Sequence, residues 1–207
     1  LSLIASKKSN VRNPDDLKGK NISVSGNTFV EYATDEVMKR AYLHPGEVNK
    51  PEINNIPLRL MMLEDGQISA SFLPGPATAI ALNNGHTALL NTRQMGLRCT
   101  GIVFSEKAIT EKDEEIRRFI TGYNLGVKYL QTRPQNEWTE ILVKEFGLQE
   151  KAAMQIDLPD YRPATRPSYH DIEKIIAWLK SKGAIPDYYP GENLVDTTFI
   201  PGTLKPQ

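Results

Sequence analysis

An α/β fold with a helical second half is predicted, and three observations predict it. Up to about residue 98, short apolar runs alternate with amphipathic segments, the pattern of strands joined by helices. Beyond residue 105 the apolar residues recur at three- and four-residue spacing, with no further strand pattern. Between Asp16 and Thr28 the chain reads as a loop, a short buried strand at Asn21–Ser25, a glycine turn at Gly26 and a helix start.

Each element has a local reason. Leu1–Ala5 is apolar and reads as a strand, followed by a polar loop over Lys7–Asp15. Phe29 to about Leu43 is a helix with Val30, Val37, Met38 and Ala41 on one side, stopped by His44-Pro45-Gly46. Glu52–Asn55 is a weak strand. Pro57 opens a helix over Leu58–Glu64 and Gly66 closes it. Ser69–Leu73 is a strand, Ala77–Asn83 a small-residue helix stopped at Gly85, and Ala88–Leu90 another strand. The alternation to this point predicts a parallel sheet. Thr100–Ser105 reads as one more strand, expected beside Leu1–Ser6. Glu111–Gln131 is a long helix striped by Ile116, Phe119, Ile120, Tyr123, Val127 and Leu130. Helices follow at Gln135–Phe146 and Gln149–Gln155, and a last one opens at Ser168 with Asp171 and ends at Gly183. Ile172, Ile175, Ile176 and Leu179 form its inward stripe.

Composition narrows the function. The 207 residues carry 25 basic and 25 acidic side chains, so the basic excess of a nucleic-acid surface is missing. No apolar run approaches the roughly 18 residues of a membrane span. Cys99 is the only cysteine, which rules out an internal disulfide. Leu1 is not a translation start, and the chain is expected to be a mature form or a part of something longer.

Catalytic patterns are sparse. His44, His86 and His170 lie at helix ends or in turns without a second ligand at metal spacing. Neither a Gly-x-Ser-x-Gly elbow nor a phosphate-binding glycine motif occurs. No catalytic residue, metal or cofactor is expected. Thr28 and Glu31, by contrast, have the spacing of a capping box at the end of a strand-to-helix turn. Such a turn points backbone amides outward, a geometry suited to a small polar ligand; an ordinary capped turn is the plainer reading.

The order of segments resembles the type II periplasmic solute-binding proteins of ABC importers for nitrate, sulfonates, taurine and thiamine-precursor pyrimidines. Asp16-Leu-Lys-Gly-Lys-Asn-Ile-Ser-Val24 matches one motif, and Leu63-Glu-Asp-Gly-Gln-Ile-Ser-Ala70 another. Ala77–Leu89, Gly101–Phe119, Trp178–Ile185 and Asn193–Pro201 follow in the family's order, covering almost the whole chain. Ser69 departs from the family's usual Asp, and Gly75-Pro76 from its Glu-Pro. The family's opening strands and helices have no counterpart here.

The resemblance implies a periplasmic-binding-protein type II-like fold, with a parallel-sheet lobe plus C-terminal helices. It divides the chain into a crossover strand and loop (1–16), lobe two (17–98), and a return strand with C-terminal helices (99–207). It implies capture of a small-molecule solute, a membrane permease and an ATPase as partners, and a place in the periplasm or on the outer face of the cytoplasmic membrane; a lipid anchor upstream of Leu1 is compatible with it. It does not imply an enzyme, although biosynthetic enzymes of thiamine-pyrimidine or menaquinone-precursor synthesis on the same fold, or a ligand-sensing domain, are alternatives. Ligands of open α/β sheets sit outside the carboxyl ends of strands. Expected ligand-binding residues are therefore Gly26, Asn27, Thr28, Phe29, Glu31 and Tyr32 after the first internal strand, and Phe72 and Gly75 at the end of the third, Ser69–Leu73. For Phe29 and Phe72, core packing is an equal alternative. Glu31 is expected to offset the positive helix end, disfavouring nitrate and favouring a pyrimidine or an amino-sulfonate.

Overall fold

A computed structural model gives the protein's structure, and residues 1–98, 101–154, 156, 158 and 161–200 are described. The chain divides into two units, Leu1–Arg98 with Lys151–Asp157, and Cys99–Glu150 with Leu158–Gln207.

The first unit is built on strand β1 (Ser2–Ala5), whose Leu3, Ile4 and Ala5 are all buried. Three consecutive apolar residues in a strand must be covered on both faces, and β1 lies inside the sheet between β3 and β4. With β2 (Ile22–Ser23), β3 (Ala70–Leu73) and β4 (Thr87–Asn91) the strand order is β2-β3-β1-β4. β2 and β3 are parallel, in register Ile22↔Ala70 and Ser23↔Ser71. β1 is antiparallel to both β3 and β4. The expected all-parallel sheet is thus a mixed one. The β3–helix–β4 crossover skips one position in the sheet, and β1 fills it running the other way.

The weak strand expected at Glu52–Asn55 starts earlier and pairs only through isolated parallel bridges, Asn21↔Asn49 and Val24↔Glu52. Ile22 N–H donates to Asn49 O at 2.8 Å and Val24 N–H to Pro51 O at 3.0 Å. Pro51 has no N–H to extend the ladder, which suits it to this edge.

Helices cover both faces. α1 (Phe29–Arg40) packs Ala33, Val37 and Met38 against Leu3, Ala5, Ala70 and Phe72. α2 (Ile56–Asp65) and α3 (Gly75–Asn83) bring Leu63, Ala77 and Ala81 against Ile4 and Leu73 on the other face. Neighbours such as Leu3 and Ile4, or Phe72 and Leu73, point to opposite layers, as strand pleating requires. Burying each such side chain contributes about 1.5–3 kcal/mol. α1 stops at Arg40, short of Leu43, and Tyr42 adopts a left-handed φ of 54°. α3 starts at Gly75, earlier than expected, because the fixed φ of Pro76 fits a first helical turn.

In the second unit, residues 101–105 form no strand, and Thr100 lies outside the described residues. Val103 is exposed, and Ser105 instead caps α4 (Glu106–Glu111) by accepting a hydrogen bond from Ala108 N–H. The long helix expected from Glu111 breaks at Lys112, and α5 runs over Asp113–Thr132 with Asp113, Glu114 and Glu115 in its first turn. Ile116 and Ile120 pack with Phe199 and Phe104, while Phe119, expected on the buried stripe, is half exposed and meets Phe104 edge-on at 5.6 Å. α6 (Gln135–Phe146) and α8 (Tyr169–Ser181, capped by Ser168) follow, while α7 (Glu150–Met154) belongs from Lys151 on to the first unit. The expected end of the third helix, Gln155, lies outside the described residues.

Candidate functional site

Because β2 and β3 are parallel, the turns that leave them lie on one edge of the sheet. Residues 49–52 run parallel to β2 on its other side, so the turn after them reaches the same edge. Each of these turns opens a helix: α1 after β2, α2 after 49–52, and α3 after β3. Three helix amino ends, with their positive dipole ends, therefore share this edge.

The first turn is tightly tied. Asn27 has φ +55°, a conformation that asparagine tolerates better than most residues. Its N–H donates to Glu31 Oε2 at 2.8 Å. The Thr28 hydroxyl accepts from Val30 N–H at 3.2 Å and donates to Ser25 O at 2.8 Å. The expected capping box is therefore shifted: Glu31 reaches past the cap to Asn27, and Thr28 bonds Val30. The single hydroxyl hydrogen of Thr28 is engaged by Ser25 O, leaving it an acceptor but no donor for a ligand. Lys50 Nζ lies 3.7 Å from Glu31 and 2.7 Å from Asp35, which counters the charge expected to repel oxyanions.

Of the expected site residues, Gly26, Asn27, Thr28 and Gly75 reach the accessible edge. A side chain on Gly75 would meet open space. Phe72 is fully buried in the core, and Phe29 is partly buried against it, so packing is the reading the structure supports for both. Tyr32, expected to reach the ligand, is 4% exposed, and Glu31 is also buried. Burial of α1's inner face turns both toward the protein.

Two residues absent from the expected set belong here. Glu52 is exposed and lies over Gly26, with Asn54 Nδ2 donating to its Oε1 at 3.2 Å. Arg59 is 2% exposed and donates to Ile53 O at 2.9 Å, Phe72 O at 3.2 Å and Ser25 Oγ at 2.5 Å. Burial pulls its guanidinium pKa below the usual value. Beneath the edge, Ser23 Oγ donates to Ser71 Oγ at 2.8 Å, both fully buried. The sequence did hold a signal for Arg59, a cation four residues before the fully buried Leu63 on one helix face.

The histidines lie elsewhere. His44 and His170 are exposed. His86 is buried at the opposite edge of the sheet, before β4. Its Nδ1 accepts from Lys7 N–H at 3.1 Å, and its Nε2 sits 2.9 Å from Glu64 Oε1 but is poorly aligned for a hydrogen bond. Cys99 lies outside the described residues. Among the described residues no group of three His, Cys, Asp or Glu side chains could hold a metal ion.

A cavity of about 420 Å³ occurs in the second unit, between α8 and Tyr189–Gly191, lined in part by Ile172, Ile176 and Lys180. It is a helix face of mixed character beside a loop, with Glu173 and Lys180 next to Ile172 and Ile176.

Comparison with known proteins covers most of the first unit and part of the second. The family model described as "NMT1/THI5 like" matches residues 1–137, which include the sheet edge and exclude α8. Among curated protein sequences no match is found. The fold is similar to that of the periplasmic aliphatic sulphonate binding protein SsuA from Escherichia coli, with TM-score 0.70 and 13% identity over 90% of this chain and 61% of that one. It is also similar to the alkanesulfonate-binding protein SsuA from Xanthomonas axonopodis pv. citri bound to MOPS, with TM-score 0.72 and 18% identity over 90% of this chain and 65% of that one. The desulfurization enzyme DSZB shares the fold at TM-score 0.62 and 11% identity, over 96% of this chain and 74% of that one. The chain thus spans less than two thirds of the length of the two sulfonate-binding proteins. These likenesses establish a periplasmic-binding-protein-like α/β fold, and the family match, which covers well over half of the sequence, identifies the chain as a member of the NMT1/THI5-like family.

Proposed function

We propose that the chain is the solute-binding component of an ABC-type importer, taking a small polar organic solute such as a sulfonate, a taurine-like amino-sulfonate or a pyrimidine. One observation carries the reading: parallel strand ends on a single edge open three helices at once, within the stretch that the family model matches. Backbone amides at Gly26 and Gly75, the exposed Asn27 carboxamide and the Glu52 carboxylate supply donors and an acceptor for a polar solute. Glu52 adds a preference for a ligand that carries an N–H donor near Gly26. The partners are a permease and an ATPase, and the place is the periplasm or the outer face of the cytoplasmic membrane. No helix among the described residues is long and apolar enough to cross a membrane, in keeping with a partner that supplies the channel. The DSZB likeness extends to fold alone, and the buried His86 sits at the opposite edge from this site.

Titration calorimetry with taurine, MOPS and 4-amino-5-hydroxymethyl-2-methylpyrimidine tests the proposal. One of these classes is expected to bind, and Asn27→Ala or Gly75→Glu to weaken it. Absence of binding by all three, or protection from hydrogen exchange confined to residues 169–191, would count against this edge.

A further inference from the structure

Arg59 is an expensive choice for its position. It projects from the first half of α2 and is 2% exposed. Its three hydrogen-bond acceptors, Ile53 O, Phe72 O and Ser25 Oγ, are all uncharged. Burying a guanidinium against neutral acceptors gains less than burying a leucine or methionine of similar volume. Stability alone therefore does not account for an arginine here. Its acceptors do suggest a role. Ser25 precedes the Gly26 turn into α1, Ile53 precedes the Asn55 cap of α2, and Phe72 precedes the turn into α3. One planar fork thus reaches the three turns that make the edge. Lysine, with a single nitrogen, cannot meet three divergent acceptors in a fixed geometry.

We propose that Arg59 is the positioning residue of this edge, holding the turns at Ser25–Thr28, Ile53–Asn55 and Phe72–Gly75 as one mechanical unit. The three turns open and close together, and a solute seated on one meets the others already in place. The role in solute binding rests on the functional reading above; the coupling of the turns does not.

Hydrogen exchange read by mass spectrometry on the free protein tests the coupling in Arg59→Lys. Peptides covering 24–30, 52–58 and 72–78 should exchange faster together, by about tenfold or more, while those covering 33–40 and 87–91 stay as in the parent protein. Faster exchange throughout would reduce Arg59 to a general structural residue and overturn the proposal, as would a change confined to 52–58. Should Arg59→Lys fail to fold, exchange of the unaltered protein in sub-denaturing urea decides the question: one shared opening for the three turns supports the coupling, and separate openings overturn it. In the folded variant, affinity for whichever of taurine, MOPS and the pyrimidine binds the parent should fall about tenfold or more. Unchanged affinity would overturn the binding role. If none of the three probes binds the parent, the solute reading of the edge fails, and the exchange result still decides whether Arg59 couples the turns.

Discussion

The carboxylate of Glu52 occupies the space that a side chain on Gly26 would need, with Oε1 at 3.1 Å and Cδ at 3.2 Å from the position of a Cβ. The obstacle is the far end of an exposed side chain held by an exposed hydrogen bond from Asn54 Nδ2 at 3.2 Å, so it can swing into solvent at small cost. Gly26→Ala should therefore change stability by no more than about 0.5 kcal/mol. Gly66, which ends α2 at φ +77° with Lys8 side-chain carbons 3.1 and 3.2 Å from a Cβ, is the contrast. Gly66→Ala forces an L-residue into the left-handed region and should cost about 1–2 kcal/mol. Urea unfolding of the two variants checks the difference; equal losses would mean that the Glu52 contact is rigid.

Thr28→Ala should lower stability by about 0.5–2 kcal/mol, because it removes the acceptor for Val30 N–H and the donor to Ser25 O together. Thr28→Ser keeps both bonds and should recover most of the loss. A Thr28→Ala protein as stable as its parent would show that water replaces the cap without cost at this exposed turn.

Those local relationships were the legible part. Cap residues and glycine stops act within a turn of their own position, so Thr28, Ser168 and Gly66 could be read directly. The direction of β1 could not. A strand buried on both faces shows the same apolar run whether its neighbours are parallel or antiparallel, and only the crossover from β3 to β4 decides it. At the site, the turn residues Gly26, Asn27, Thr28 and Gly75 were visible because turn chemistry is local. Phe29 and Phe72 were ambiguous because an aromatic beside a strand end suits a core and a cleft equally, and Tyr32 was read toward the cleft because a phenol in a first helical turn can reach one. Arg59 joins Ser25 across 34 positions of sequence, a pairing that no local pattern announces.

Beneath the edge, the Ser23–Ser71 hydrogen bond predicts strong non-additivity. Ser23→Ala leaves the buried Ser71 hydroxyl with poorer partners, Ser23 O at 3.5 Å and Phe72 O at 3.4 Å. Each single change to alanine should cost about 1–3 kcal/mol. The double variant leaves no orphaned hydroxyl and should cost less than the sum of the two. A double-mutant cycle from urea unfolding measures this coupling, and strict additivity would mean that the two hydroxyls do not depend on each other.

The opposite edge predicts how stability responds to acid. Burial works against the charge on Glu64, but the hydrogen bond from Asn84, the nearby His86 Nε2 and the charge of Lys7 outweigh it and hold its pKa below the usual value. The unfolded carboxyl, with a pKa of about 4.3, therefore takes up a proton at a higher pH than the folded one. Glu64 contributes its stability in full above the unfolded value, and the contribution fades as pH falls through the lowered folded value. Its side chain is 26% exposed and the pairing with Lys7 is long at 3.7 Å, so solvent screens the effect and the acid limb should be shallow. Glu64→Gln should be less stable than the parent at pH 7, and the gap should narrow below about pH 4. Urea unfolding of both proteins from pH 3 to pH 7 measures it. A gap that stays constant across that range would show that the loss comes from packing and that the Glu64 charge contributes nothing.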